Sequence, residues 1–555
     1  MQPMTRLIKI MLVWAVMLTT WASAGAVTRT IRVSTLRGEL TQALRDQLKG
    51  LTYNDLAIIQ FDQNGTYTIK GTIEAQCNIK MTGKNRKKTI ILLDKGQDKP
   101  GFKAFHSYTY FFFRGTNEHP ITVELSNFTM QLAQHQGLWF QDYPFHAVEI
   151  YHANKVKIYA VDSYMQNAAI TNFDLRVCSG VEVNNCLISN INNCQMSGNL
   201  WLRGATSDVN IHDNRFVKYG NDEAIAIWDR QTNAYDYDSK LSREVTKRNV
   251  RVANNVIDYG YKGKDKAPMV HQVLFAVFTD YYRTKYPCHF HGLYIEGNTF
   301  NITDPISRTL TVAFDPADEH SDIYVRNNTF NYKYKKSDLT YQKNDIDIHD
   351  ESLGGDPIHF TDNVTNSYCE VESPFGTNGN NHVLMHGGVL DYARNTLNGP
   401  GTQFMWIATE GGDVTLTENY LNNVNVLASV SSGDSVAHAS ITATGNYITG
   451  KSEIYCKNVK RLDLNFTSNT MQCTSGSFFL QDFATEGNVV FNYNTVTIAN
   501  GGGHLMTYWG KGNTAKRRFK RLEVVGNSFQ GVDKNSWLKH FLTVDRREVR
   551  NNSFR

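Results

Sequence analysis

One pattern recurs thirteen times along this chain: alternating apolar residues, an asparagine, and another apolar residue two places later. It reads LYIEGNTF at Asn298, IYVRNNTF at Asn328, VTLTENYL at Asn419 and LEVVGNSF at Asn527, and the series runs from Asn185 and Asn214 to Asn552. Successive spacings are 29, 41, 43, 30, 35, 32, 24, 27, 23, 25, 33 and 25 residues, with a floor near 23–25. Period-2 alternation marks strands, and a unit this short holds two or three of them with no helix. A single such unit cannot bury its apolar face. Stacked units bury a continuous column, so the pattern predicts a parallel β-solenoid in which spacing above the floor is inserted loop.

The asparagine has a physical task in such a coil. Its amide bonds the backbone at a tight turn and the same asparagine one coil away, and asparagine tolerates the left-handed conformation. Residues 25–115 are read as an N-terminal cap and first coils, and 116–555 as solenoid repeats with long insertions around 215–297. Leu36, Leu40, Leu44 and Leu48 fall at helical spacing on a candidate capping helix opening near Ser34. A cap covers an end that would otherwise expose a sheet edge and an apolar core.

Composition agrees with a β-rich chain: aromatics are 12% of 555 residues, with 28 Tyr and 29 Phe, and Pro numbers only 11. Residues 1–24 read as a secretory signal, with Arg6 and Lys9 before an apolar stretch and Ala22-Ser23-Ala24 as cleavage site. Net charge is +4, or +2 once Arg6 and Lys9 are removed, which gives no reason to invoke nucleic acid. No later segment reaches the ~20 apolar residues of a membrane span, and no Cys follows the cleavage site to take a lipid. The expected product is a secreted or periplasmic monomer. Eight Cys over this length do not make a disulfide scaffold, and Cys456 with Cys473 is the best pairing among them. Cys178, Cys186 and Cys194 recur every eight residues, but no CxxC pair or His spacing supports zinc.

With these repeats the chain resembles the right-handed parallel β-helix proteins of the pectate-lyase-like superfamily, over nearly its whole mature length. The resemblance implies an all-β fold, a single right-handed parallel β-helix with an N-terminal capping α-helix, and says little about chemistry.

Coils stack ~4.8 Å apart, so aligned repeats form a crude contact map. A second apolar strand ends in Asp in four successive repeats: AIAIWD (Asp229), FAVFTD (Asp280), LTVAFD (Asp315) and DIDIHD (Asp350). One reading is a catalytic carboxylate pair or cation site, with adjacent acids ~5 Å apart and alternate ones roughly 9–10 Å. The other is that each Asp caps a turn by bonding backbone N–H groups. Both stay open. The two longest insertions flank this region, where long loops on a rigid scaffold carry sites.

Within it, YGNDEAIAIWDR resembles the Asp-Asp-Cys-Ile-Ala-Ile segment of polygalacturonase-type glycoside hydrolases. The resemblance puts Asp222 and Glu223 at the acids that activate water and protonate the leaving oxygen. SGNLWLRG lacks the Asp that this family offers in the preceding coil, and its Gly-His-Gly is replaced by MVHQVLFAV, leaving His271 nearby. Trp201, Trp228, Trp406 and Trp509 suit sugar stacking as well as packing, while Tyr235 and Tyr237 lie in a polar insertion.

Three functions follow. The first is a glycoside hydrolase acting on a polysaccharide or oligosaccharide, with carboxylates among Asp222, Glu223, Asp229, Asp280 and Asp315, His271 beside them, and Trp228, Arg230, Tyr235, Tyr237 and Lys218 as substrate contacts. It needs no cofactor. The second is a polysaccharide lyase using Lys218 and Arg230 with calcium on the Asp column. The third is a glycan-binding solenoid without catalysis. Phosphate loops, nucleophile elbows, HExxH and CxxC pairs are absent from the sequence.

Overall fold

The computed structural model describes all residues except 1–24, 95–108, 134–144, 167–169, 193–197, 221–222, 229–244, 261–272, 279–286, 305, 334–342, 353–354, 368–379, 409, 475–476, 482–485, 500–503, 509–518, 533 and 538–543. Strands alternate buried and accessible residues, as in Leu56–Phe61 and Asn78–Gly83. Most pair in parallel with the strand three further along: Val273–Phe278 with Arg308–Phe314, Cys288–Glu296 with Glu319–Arg326, and Thr299–Ile302 with Thr329–Tyr332. A coil therefore contains three strands, and the stacked coils form three parallel strand ladders, named A, B and C in that order. The chain is a parallel β-helix. Its core is a column of Ile, Val, Leu and Phe that includes the stacked rings of Phe300, Phe330, Phe360 and Tyr392 at 4.7, 6.0 and 5.1 Å.

The asparagine ladder stands at the corner from B to C. Asn298 donates through Nδ2 to Asn328 Oδ1 (3.0 Å) and to the Val252 carbonyl (2.8 Å), and its own N–H reaches the same Asn328 oxygen (2.9 Å). The arrangement repeats from Asn214 through Asn255, Asn328 and Asn419 to Asn552. Two expectations are corrected. Asn185 is not in the ladder: Cys186 holds the interior position and donates its N–H to Asn214 Oδ1 (3.0 Å), following apolar Val161 and Phe128 one and two coils earlier. The left-handed turn belongs to the residue before the ladder asparagine, as at Asp213, Asn254, Gly297, Arg394 and Glu418. The turn reverses the backbone there, leaving the following amide to point inward.

The capping helix is Leu40–Leu48, with Leu44 and Leu48 buried against the first coil. Glu39 opens it by accepting the N–H groups of Thr41 (3.0 Å) and Gln42 (2.8 Å). Ser34 instead lies in a 3₁₀ turn and donates its hydroxyl and N–H to Asp62. At the other end Trp537 is buried against Phe491 and Phe529.

Cys456 and Cys473 are both free and buried, which corrects the expected pairing. Cys456 lies on an A strand opposite Gln481, whereas Cys473 ends a C strand opposite Gly450. Among the described residues no helix is long and apolar enough to cross a membrane.

Candidate functional site

The long connections enter and leave the A strands, so the outer face of the A sheet is where inserted loops meet the scaffold. The coils with the longest insertions are those of Ile225–Trp228 and Val273–Phe278. Strand register lines up two outward rows. One runs Glu149, Asp174, Trp201, Ala226, Ala276, Thr311 and Asp347. Two residues further along each strand, the second runs Tyr151, Arg176, Arg203, Trp228, Phe278, Ala313 and His349.

The first three coils hold a buried ionic network. Arg176 donates to Asp174 Oδ2 from Nε (3.0 Å) and Nη2 (2.8 Å) and lies 3.3 Å from Glu149, whose other oxygen accepts the Thr109 hydroxyl (2.8 Å). Arg203 approaches the second Asp174 oxygen at 3.5 Å, and His146 Nδ1 lies 3.1 Å from the first. Burial alone would raise the Asp174 carboxyl, but both guanidiniums and His146 outweigh it and hold it well below the usual carboxylate range. Burial pushes His146 down to about 4, against the pull of Asp174 and Glu149. Asp174 is thus a fixed anion at neutral pH and His146 a neutral ring. Neither is suited to donate a proton, and Asp174 serves to orient the two arginines.

Beside this network lies a small apolar cluster on the same face. Trp201 and Trp228 stack at 5.1 Å with Arg203 over both rings at 4.2 and 5.0 Å, and Trp201 packs with Ala226, Val273 and Ala276. Glu223 is buried just before the Ile225–Trp228 strand, where its carbonyl accepts the Asn199 N–H (3.2 Å). Glu223 and Trp228 therefore stand at the start and end of one A strand, in one of the two coils with the longest insertions.

A second polar cluster sits farther down the face. Arg308 pairs with Asp347 (2.7 Å), His349 with Glu351 (2.6 Å) and His386 with Glu410 (3.0 Å), and the two imidazoles stack at 5.2 Å. Burial would raise Glu410, but a backbone N–H and His386 hold its carboxyl below the ordinary value. Among the described residues no group of three or more His, Cys, Asp or Glu could hold a metal ion.

Of the sequence-derived candidates, Asp222, Asp229, Arg230, Tyr235, Tyr237, His271 and Asp280 lie outside the described residues, as does Trp509. Asp315 follows its A strand, in a turn where its N–H donates to Asp318 Oδ2 (2.7 Å). The structure breaks the proposed Asp row here: Asp350 pairs in register with Phe314, which leaves Asp315 beside Glu351. Asp350 caps its turn, accepting from the N–H and hydroxyl of Ser352 (3.1 and 2.6 Å) and lying 3.0 Å from His320. Lys218 points into the coil from a C strand, wholly buried, and donates to Asn190 Oδ1 (3.3 Å).

Sequence reasoning passed over Glu149, Asp174, Arg176 and Arg203. The available signal was a charge at an alternate place of an otherwise apolar strand, once in VEIY and LWLR and twice in FDLR. Asp174 stands in register with Trp201, one coil earlier.

No family model and no curated protein matches the chain. Among solved structures it is similar to the catalytic unit of a thermostable GH87 α-1,3-glucanase from Streptomyces thermodiastaticus, at 13% identity over 93% of this chain and 71% of that one, TM-score 0.32. It is similar to a family 28 exopolygalacturonase from Yersinia enterocolitica, at 10% identity over 90% and 78%, TM-score 0.29. It is also similar to a PL6 family alginate lyase, at 9% identity over 95% and 100%, TM-score 0.19. Likenesses this remote carry no argument about chemistry. The chain's own strand pairing identifies its fold: a parallel β-helix.

Proposed function

We propose that this protein is a secreted carbohydrate-active enzyme that hydrolyses glycosidic bonds of a polysaccharide or oligosaccharide at the outer face of the A sheet. The observation that carries the reading is the coil of Glu223 and Trp228. A carboxyl and an indole stand at the two ends of one strand, the indole stacked on Trp201, in one of the two coils with the longest insertions. A linear glycan lies naturally along a solenoid groove, with the half-buried Trp228 indole as floor and a carboxyl on the same strand. Asp222, Asp229, Asp280 and Asp315 are the partners proposed for Glu223, with His271 nearby and Arg230, Tyr235 and Tyr237 as sugar contacts. The residues 1–24 act as the export signal.

Mass spectrometry of products from neutral and acidic polysaccharides, with and without calcium, tests this reading. Products carrying one added water per break are expected, and Glu223→Gln lowers turnover by about two to four orders of magnitude while the fold persists. Unsaturated products lacking that water would instead make the protein a lyase. Arg176 and Arg203 favour that second reading, since both are held on this face by Asp174. Lys218 does not favour it, because its amine is buried inside the coil. Absence of any product would leave a glycan-binding solenoid.

A further inference from the structure

The outer face of the C sheet has no part in the cleavage reading, and its composition is unlike that of its neighbours. Each C strand presents two residues outward around one buried residue: Thr299 and Asn301 around Phe300, Thr329 and Asn331 around Phe330, Val364 and Asn366 around Thr365. Strand register extends these positions into two straight rows that end nine coils along at Ser528 and Gln530. No Asp, Glu, Lys or Arg stands in either row over that length. At ~4.8 Å per coil, the uncharged strip is roughly 40 Å long. The B sheet, over the same coils, carries charged pairs repeatedly: Glu296 with Arg326, His359 with Asp391, Arg461 with Asp463, and Arg521 with Glu523. Charges on a flat sheet face cost little and discourage adhesion, so a long face without them invites a neutral partner.

The strip is also ordered for hydrogen bonding. Asn331 Nδ2 donates to Asn301 Oδ1 (3.1 Å), Asn366 to Asn331 (3.0 Å) and Asn398 to Asn366 (3.0 Å). Each amide spends one N–H and one acceptor site along the row, which leaves one N–H and one acceptor site for a ligand. These side chains are half-buried rather than covered. One coil step is close to the length of an extended pyranose residue. A neutral glycan lying along the axis meets an amide at most coils, from Asn301 to Asn422 and again at Gln472 and Gln530, and within the two rows a polyanion meets no cation.

We propose that this face is a docking strip for an ordered, uncharged polysaccharide, separate from the cleavage face. The proposal rests on the reading of the protein as carbohydrate-active and names the charge class of its polymer. It is tested with the full chain by co-sedimentation on insoluble α-1,3-glucan, cellulose and chitin, with calcium-gelled polygalacturonate as the anionic comparator. The triple variant Thr329→Lys, Thr396→Lys and Thr470→Lys adds charge to the strip without touching the amide ladder. The control Thr415→Lys, Thr417→Lys and Thr444→Lys adds the same charge along the B strands. Retention on at least one neutral polymer is expected, weakened about tenfold or more by the first variant and unchanged by the control. Turnover of soluble oligosaccharides stays the same in both. If the triple variant melts early, Thr396→Lys alone is used. Unchanged retention in the strip variant, no retention on any neutral polymer, or preference for the anionic gel overturns the proposal. So does a dimer in sedimentation that the strip variant dissociates, since the face would then belong to a second copy. Failure of the cleavage reading is distinct: no product forms while retention and its loss persist.

Discussion

At the corner from B to C, twelve successive coils make the same turn, a left-handed residue followed by an inward asparagine, and no insertion interrupts it. The A strands share the same register, yet their outer positions change from Glu149 and Asp174 to Trp201, Ala226 and Asp347, and the long insertions fall beside them. The difference lies in what each place must satisfy. A buried amide has partners in both neighbouring coils, so one exception orphans groups above and below it. An outward position meets only its row neighbours and whatever lies over the face. Repetition is therefore enforced at the corner, and variety is tolerated on the A face.

The comparison breaks most visibly if the corner is cut. Asn328 accepts from the N–H and amide of Asn298 and donates to Asn363 and the Ile295 carbonyl. Asn328→Ala should cost about 4 kcal/mol, read as lost denaturant or thermal stability, because several buried groups lose their partners at once. A loss under about 1 kcal/mol would mean that the ladder only accompanies the stack. On the A face, Asp174→Ala should cost about 3 kcal/mol by removing the buried carboxylate that two guanidiniums share. Replacing Asp174 together with Arg176 should cost less than Asp174→Ala alone; a double-mutant cycle with additive losses would remove the network from this account.

The third prediction concerns pH. His146 titrates at about 4 in the folded chain against about 6.5 when exposed, so the unfolded chain binds the extra proton between these values. Its contribution is complete above about pH 6.5 and is lost as pH falls toward 4, for a total of about 3 kcal/mol. Asp174, whose carboxyl is also depressed, contributes above the ordinary carboxylate range and loses that contribution only in stronger acid. Urea melts between pH 4 and 7 should show a shallower acid limb in His146→Phe. An unchanged limb would place the proton uptake elsewhere.

The smallest effects sharpen the corner side. Glu418 occupies the left-handed position where Gly445 stands one coil later, and a Cβ on Gly445 would meet only Glu418 Cγ at 3.5 Å. Gly445→Ala should cost about 1 kcal/mol and Glu418→Gly should gain a few tenths or more, since only backbone conformation distinguishes them. Opposite signs in paired thermal melts check this; equal signs would mean that side-chain packing decides.

Much of the fold was legible because its grammar is local. The apolar alternation around Asn298 or Asn328 marks a strand in any context, and recurrence of the asparagine marks the coil length. The one-place slip at Asn185 has the same origin: in VEVNNCL either asparagine or the cysteine fits the pattern. Only the stack shows that Cys186 faces Asn214. The Asp row failed for a related reason. Counting from strand ends put Asp315 and Asp350 in line, but register is set by the buried residues Leu310 with Ile346 and Val312 with Ile348, and these align Asp350 with Phe314.

The amino-acid sequence by itself determined the coil, its period, the inward asparagines and the helix that closes one end, because each follows from alternation and turn chemistry within about 25 residues. Tertiary structure alone decided that Asp174, Arg176, Arg203 and His146 share one buried network, that Trp228 stacks on Trp201, and that two rows of the C face run uncharged for nine coils. The physical reason is stacking. Residues separated by a whole coil, whatever its insertion, become neighbours ~4.8 Å apart, and which ones meet depends on the register that the packed core selects.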